Sequence, residues 1–466
     1  MLATQPLSES IIETARKYQR HAYMYIEYPH KSYWSEKFSV RDLSTALQQF
    51  KVDPEPLMLY VHFPYCTRQC FYCTCHTEIS PQREQWRDYL RVLFKEIDLY
   101  QKLLQQQQID LNVVEVHLGG GSPTLLAEDE FDALVGRLDA FVGIRHLREF
   151  AIEVDPRHTN HDKLRYYHDH GINRISLGIQ DFDPEVQKAI NRIQPVDMVR
   201  SLMSREMRAL FSHGINFDIL CGLPLQTPDS IRRTFETVVE LAPDRICLNH
   251  LHFAPEFAPH QRIMVDGKNG RPTCLPDAAE KRALFDTALE ILTQNGYVRT
   301  GFDHFALPDD DVAQALQDHR MKWNSLGVTA GAYNHVLGLG PHSTSTLFNT
   351  YAQNVYGTAP YAERVQAGEF PLYRGVVLNR DDEIRREVIQ TLRNFSRLQF
   401  SDLERHHSLI FSHYFAAELQ AMQPLARDGL VILSDHGIQV TELGQEFVLH
   451  VCACFDAYLT PKACRR

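Results

Sequence analysis

The sequence predicts an α/β fold in which a parallel sheet curls into a full or partial barrel, with an N-terminal wrap before it and a small, mostly helical domain after it. Two observations carry that expectation. Short runs rich in β-branched and aromatic residues recur at 57–63 (LMLYVHF), 113–118 (VVEVHL), 150–154, 174–179, 216–221 and 245–252, each ending at or near Gly, Asp, Asn or Pro. Longer amphipathic stretches such as 84–104 and 229–241 separate them. Strands alternating with helices make βαβ units, and six right-handed crossovers in succession curl the sheet toward a (β/α)6 barrel whose chemistry collects at the carboxyl ends of its strands.

The divisions expected are a wrap over 1–54, the barrel over 55–300, a closing region over 301–372 and the helical domain over 373–466. After a helical stretch at 278–295 the pattern turns irregular, with DDD at 309–311 and GLGPHSTS at 338–345. Beyond 373 the chain reads as helices followed by DGLVILSDHGIQVT, a hairpin of winged-helix type. The 466 residues are 44% hydrophobic and 23% charged, enough for a large core and more than one domain. Forty-eight basic against fifty-nine acidic residues give a net charge of -11 and no basic track, which argues against a nucleic-acid partner. Residues 1–21 lack a charged segment followed by an apolar one, and no run approaches the ~18 apolar residues that span a bilayer, so a soluble, cytoplasmic protein is expected.

Four of the ten cysteines lie between Cys66 and Cys75, too close together for disulfides to be a natural reading. HFPYCTRQCFYCTC sets Cys66, Cys70 and Cys73 in a CxxxCxxC spacing just after the first strand. Three thiolates on a [4Fe-4S] cluster leave one iron open, able to chelate the amino and carboxylate groups of S-adenosylmethionine (SAM) and to reduce its sulfonium. A zinc site or buried apolar cysteines are the plainer alternatives, but zinc sites commonly pair two separated ligand couples, and no second CxxC or HxxxH occurs here. Cys75 would close the open iron if it ligated, so it is read as a neighbour. Cys221, Cys247, Cys274, Cys452, Cys454 and Cys464 are scattered, as packing or exposure would leave them.

Gly119, Gly120 and Gly121 follow the second strand, where missing side chains would admit a ligand to the backbone, although a tight βα turn reads the same way. Glu153 and Asp155 end the third strand and Gln180 and Asp181 the fourth, so acceptors for ribose hydroxyls and an ammonium gather at one mouth. Asp155 and Asp181 read equally well as helix caps.

Together YVHFPYCTRQCFYCTC, HLGGGSPT, IEVDP, RISLGIQDF, DILCGLP, GFDHFALPDDD, LNRDDEIRREVI and CFDAYL make the chain resemble the radical SAM family of oxygen-independent coproporphyrinogen III oxidases along nearly its whole length. The resemblance implies a partial radical SAM barrel with a helical C-terminal domain, one cluster and two SAM molecules. By motif, Tyr60, Gly120 and Glu153 match contacts to the first SAM, with His62 beside the cluster. Tyr72, Gly121, Ser122, Gln180, Arg192 and Asp218 match positions around the second, Ser122 standing for a threonine. An external electron donor such as a flavodoxin or ferredoxin, and a monomer, are implied as well.

The departures from the family pattern cluster where substrate is expected. YMYIEYPHK replaces PRYTSYPTA, placing Met24 where the family has Arg and Glu27 where it has Ser. HLHFAP at 250–255 replaces NYAHLP and puts His252 beside the second SAM, GVTAG at 327–331 stands for GYTT, and Thr344 aligns with an Ile near the first SAM. Losing a bidentate donor and gaining a like charge each cost about 1 kcal/mol or more against a propionate. An uncharged aromatic substrate is expected instead. Tyr23, Tyr25, Tyr28, Tyr33 and Trp34 suit either such a substrate or an aromatic wrap packed on the barrel. The preferred expectation is a class C radical SAM methyltransferase acting on a quinone such as menaquinone, with coproporphyrinogen oxidation as the alternative. A haem-trafficking relative is a third reading, but the HNxxYW stretch of that group is missing.

Overall fold

The computed structural model describes residues 17–18, 23–267, 273–324 and 326–459; Cys464 and most of the first 22 residues lie outside them. Six strands form where the periodicity puts them: β1 (Pro56–Phe63), β2 (Asn112–Gly120), β3 (Glu149–Val154), β4 (Arg174–Gln180), β5 (Ile215–Cys221) and β6 (Arg245–His250). They are parallel and neighbour one another in chain order, as a partial barrel requires. Helices α1 (Arg83–Gln107), α2 (Glu128–Val142), α3 (His161–Asp169), α4 (Pro228–Leu241) and α5 (Ala278–Gln294) follow strands of this series. In α1, Trp86, Tyr89, Leu90, Leu93, Ile97, Tyr100 and Leu104 recur at helical spacing and are buried. Leu57, Leu59 and Val61 of β1 join the same core. The alternate residues Tyr60 and His62 therefore take the opposite face of the pleat, toward the barrel interior.

The stretch expected to be irregular contributes five strands to the twelve-stranded sheet, and a sixth stands where the helical domain was expected to begin. β7 (Val298–Arg299) and β8 (His304–Ala306) add antiparallel to β6 at one edge. At the other edge β9 (His335–Leu339) enters parallel to β1, and β10 (Thr344–Leu347), β11 (Thr350–Asn354) and β12 (Leu372–Val377) continue antiparallel. These strands are too short and too rich in Gly, Ser and Thr to print a hydrophobic period. Asp310 of the DDD motif pairs with Arg245 at 2.8 Å, and Asp311 with Arg148, so that run clamps the amino-terminal ends of β6 and β3.

Glu96 ties the edge extension to the barrel. Fully buried on α1, its carboxylate accepts from the Gly340 amide at 2.7 Å, the Asn354 side chain at 2.8 Å and the Tyr361 hydroxyl at 2.7 Å. Three donors satisfy it, yet burial still pushes its carboxyl up to about 7.

The C-terminal domain packs α6 (Arg380–Phe395) against short helices and a three-stranded sheet that contains the expected hairpin, Val431–Ser434 with Gly437–Val440. Its core includes Tyr25 and Tyr28, and Trp34 stacks on Tyr351 of β11 at 5.3 Å. Those three aromatics are packing residues. Among the described residues, no helix is long and apolar enough to cross a membrane.

The folded chain binds the Glu96 proton more tightly than the unfolded chain does, so this group's contribution to stability is fullest below the ordinary carboxyl range and is lost as pH rises through 7. Glu96→Gln should therefore lose less stability than the parent between pH 5 and 8, by roughly 3 kcal/mol in urea unfolding. Identical pH profiles for the two proteins would refute the assignment.

Candidate active site at the mouth of the barrel

The cysteine loop leaves β1 and is pinned at both ends. Tyr65–Cys66 pairs in parallel with Glu78–Ile79, the Glu78 amide donating to the Pro64 carbonyl at 2.7 Å and the Ser80 amide to the Cys66 carbonyl at 2.9 Å. Between those ends, neighbours hold the backbone. The Asn191 side chain donates to the Gln69 carbonyl (2.8 Å), His260 to that of Cys73 (2.7 Å), and Gln261 to those of Tyr72 (2.9 Å) and His252 (2.8 Å). His252 thus flanks the loop through its backbone, with its imidazole exposed.

Above this loop the glycines at the end of β2 let three strands meet. A Cβ on Gly121 would come within 2.5 Å of the Tyr65 carbonyl oxygen, and one on Gly120, whose φ is +106°, within 2.4 Å of the His62 ring. No other residue fits at either position. The Gly120 amide donates to Glu153 at 3.1 Å, and His117 donates to the same carboxylate at 3.4 Å. Burial works against ionising Glu153, but His117 and the Gly120 amide outweigh it and hold the carboxyl below its ordinary value. His62 is kept neutral by burial; its Nε2 donates to the His76 carbonyl at 3.0 Å, which leaves Nδ1 to accept from the Tyr60 hydroxyl at 3.1 Å. Ser122 lies 3.7 Å from the Cys66 sulfur. One contiguous group thus contains Tyr60, His62, Gly120, Gly121, Ser122, Glu153 and Cys66.

A second group surrounds Cys70. Arg157 and Arg192 each direct a guanidinium nitrogen at its sulfur from 3.7 Å, and both pair with Asp155, at 2.6 and 3.4 Å. Arg192 also donates to the Gly178 carbonyl at 2.6 Å, beneath the bulge where Gln180 takes a φ of +70°. Burial opposes charge on Asp155, yet the two arginines hold its carboxyl well below the usual range. Among the described residues no cation lies in hydrogen-bonding range of Cys66, and burial pushes its thiol up to about 12. Anionic sulfur ligands suit a pocket carrying two fixed cations, and that donor set fits an iron-sulfur cluster.

Deeper in the barrel, Asp218 accepts from Ser176 and Asn216, each at 2.8 Å, beside a cavity of about 90 Å³ that His117, Glu153 and His304 also line. Thr344 sits apart, on β10, accepting from Lys31 at 3.2 Å. Asp181 does not converge on the mouth. It is fully buried and accepts from Thr234, Gln226 and the Asp183 amide, which makes it a structural acceptor. His117, Arg157, Ser176 and Asn216 were not singled out from the sequence, although polar residues at every second position of otherwise apolar strands were a usable signal.

Comparison with known proteins gives this geometry its setting. The radical SAM superfamily profile matches residues 60–238, and the HemN C-terminal domain profile matches 378–447. The oxygen-independent coproporphyrinogen III oxidase of Pseudomonas aeruginosa is 35% identical over 447 residues, 95% of each chain. The chain belongs to this family. The Escherichia coli K12 protein of the same name is 35% identical over 450 residues, covering 96% of this chain and 95% of that one. The solved structure of the E. coli coproporphyrinogen III oxidase, described as a radical SAM enzyme, superposes with a TM-score of 0.86 at 34% identity, covering 94% of this chain and 98% of that one. The chain is thus a radical SAM enzyme, and the cofactors expected from the cysteines, a [4Fe-4S] cluster and SAM, are those of its family.

The expectation of a quinone methyltransferase is corrected by that full-length correspondence with the oxidases. Several of the residues that suggested it are engaged elsewhere. Tyr25 and Tyr28 are core of the C-terminal domain, Met24 is 43% exposed, and Glu27 is buried beside Lys31 at 3.2 Å.

Gly120→Ala should weaken SAM binding about tenfold or more in the reconstituted protein, because the added methyl meets His62 at 2.4 Å. Gly136→Ala, with nothing within 4 Å of its added Cβ, is the control in equilibrium dialysis. Equal affinities in the two variants would remove Gly120 from the site.

Proposed function

We propose that the chain is an oxygen-independent coproporphyrinogen III oxidase, converting two propionate side chains of its substrate to vinyl groups with release of carbon dioxide. The observation that supports this reading most is the length of the correspondence: relatives carrying that name match through the barrel and the C-terminal domain alike, over 95% of each chain. The two changes that argued against a tetracarboxylate also weigh less, since Met24 is exposed and Glu27 is buried in a pair with Lys31.

In this reading Cys66, Cys70 and Cys73 ligate the cluster. A cluster and SAM held here would supply low-potential electron transfer and radical chemistry. The chain's own groups prepare the place. Glu153, ionised and fixed by His117 and the Gly120 amide, offers an acceptor to ammonium or ribose. Tyr60 and neutral His62 hold the wall beside the first SAM, and Gly121 and Ser122 keep the strand end open. By the family resemblance Tyr72, Gln180, Arg192 and Asp218, with His252, would hold a second SAM, and Thr344 would stand toward the first. Arg157 and Arg192 balance anionic sulfur. A flavodoxin or ferredoxin as electron donor, a monomeric state and a reducing, cytoplasmic setting complete the reading.

The test is anaerobic turnover of the reconstituted protein with SAM, a reductant and coproporphyrinogen III. Carbon dioxide and a product with two vinyl groups are expected, as is loss of both cluster iron and turnover when Cys66, Cys70 or Cys73 is changed to Ala. Wild-type protein that holds its cluster and releases no carbon dioxide would overturn the reading, and normal iron content in the cysteine variants would overturn the ligand assignment.

A further inference from the structure

A rim of cations and imidazoles borders the cysteine loop on the side where β9 to β12 extend the sheet. It is assembled from three parts of the chain. His76 comes from the loop itself, its carbonyl held by His62, and its ring stacks on that of His342 at 3.1 Å. His342 packs in turn on Tyr356 at 4.3 Å. From the N-terminal segment come His30 and Lys31, the latter donating to Thr344 at 3.2 Å and pairing with Glu27 at 3.2 Å. From β12 comes Arg374, which donates through Nε to Gln353 at 2.8 Å and through Nη2 to the Tyr356 hydroxyl at 2.6 Å.

The charge balance of this rim is unusual for a surface. Among the described residues, Arg374 has no carboxylate within ion-pair distance. The carboxylates that face the rim are already engaged: Glu27 by Lys31, Glu36 by the Tyr373 hydroxyl at 2.9 Å, and Glu78 by Thr358 at 2.7 Å. Burial, with Lys31 and Arg374 adding to it, pushes His30 down to about 4, so this imidazole offers a neutral ring edge and not a third charge. Lys31, whose ammonium has a third proton beyond its bonds to Thr344 and Glu27, and Arg374, a planar guanidinium bonded only to neutral acceptors, both lie close enough to His30 and His342 to act on them, and together they match a carboxylate.

We infer that Lys31 and Arg374 receive a propionate carboxylate of the substrate at this rim, with the imidazoles of His30, His76 and His342 walling the place where it sits. The inference rests on the tetrapyrrole reading above and assigns carboxylate recognition to β12 and to a lysine two residues beyond Pro29. Position 24, where an arginine was expected from the family pattern, is not needed for it. The loss of one cation is answered by another on the same segment, seven residues along.

Equilibrium binding separates this inference from the reaction. The probes are coproporphyrin III, a tetra-acid, and its uncharged tetra-amide, each titrated by fluorescence into the cluster-loaded protein. Wild type should prefer the tetra-acid, and added salt should narrow the preference. Arg374→Gln, and the paired change Glu27→Gln with Lys31→Met that avoids stranding a buried charge, should each weaken the tetra-acid about tenfold and leave the tetra-amide as it was. Arg374→Lys should recover part of the loss. Cluster iron and circular dichroism matching the wild type exclude misfolding. Equal loss of both probes, no loss of either, or a wild type indifferent to the carboxylates would overturn the inference. A rim that behaves as described in a protein that releases no carbon dioxide would leave it standing and sink only the assignment of the reaction.

Discussion

The site depends on how closely β2 ends against its neighbours. With side chains absent at Gly119, Gly120 and Gly121, the Glu153 carboxylate, the His62 ring and the Tyr65 carbonyl all come within 2.4–2.5 Å of where a Cβ would stand. The cysteine loop starts from that junction, because the Gly121 and Ser122 amides donate to the Phe63 and Tyr65 carbonyls at 2.7 and 2.8 Å. A methyl at either later glycine would therefore displace the loop that carries the three thiols as well as the ligand pocket. Backbone contact is harder to deform than side-chain contact, and catalytic positioning within about 0.5 Å depends on such rigidity.

The two ends of the barrel are held by different forces. At the amino-terminal end, charges are paired in a continuous series: Asp310 with Arg245, Arg148 with Glu115 at 2.6 Å, and Arg174 with Glu149 at 2.5 Å. Breaking one member of a buried pair of this kind costs roughly 3–5 kcal/mol. At the carboxyl end the charges left near Cys70 and Glu153 are arranged for an incoming group. Stability and chemistry occupy separate faces, as the βα architecture allows.

Much of this was legible beforehand, and the omissions have physical causes. The six barrel strands and the thiol triad stand out because a buried parallel strand is a dense apolar run and because CxxxCxxC has few other uses. The sheet extension was illegible: β9 to β12 owe their burial to Glu96, Tyr361 and β1, residues distant in sequence, and not to a period of their own. Asp181 and Asp155 looked alike in sequence, both ending strands, and only packing turns one toward Thr234 and the other toward Arg192. The substrate was misjudged for a related reason. In the irregular segment that carries them, Tyr25 and Tyr28 turn into the C-terminal core while Met24 stays exposed and Glu27 is buried against Lys31. Side-chain chemistry was right and side-chain direction was missing.

That threading also constrains how the molecule is made. Tyr25 and Tyr28 emerge early in synthesis, yet the core they complete is built from Ile384, Val388, Leu392, Phe411 and Val451. The C-terminal domain cannot close until more than 400 residues have been synthesised, and when it closes it takes up Tyr25 and Tyr28. Lys31, Trp34 and Ser35 dock instead on Thr344, Tyr351 and Gly375, so the start of the chain is anchored twice, first on the sheet extension and last in the C-terminal core.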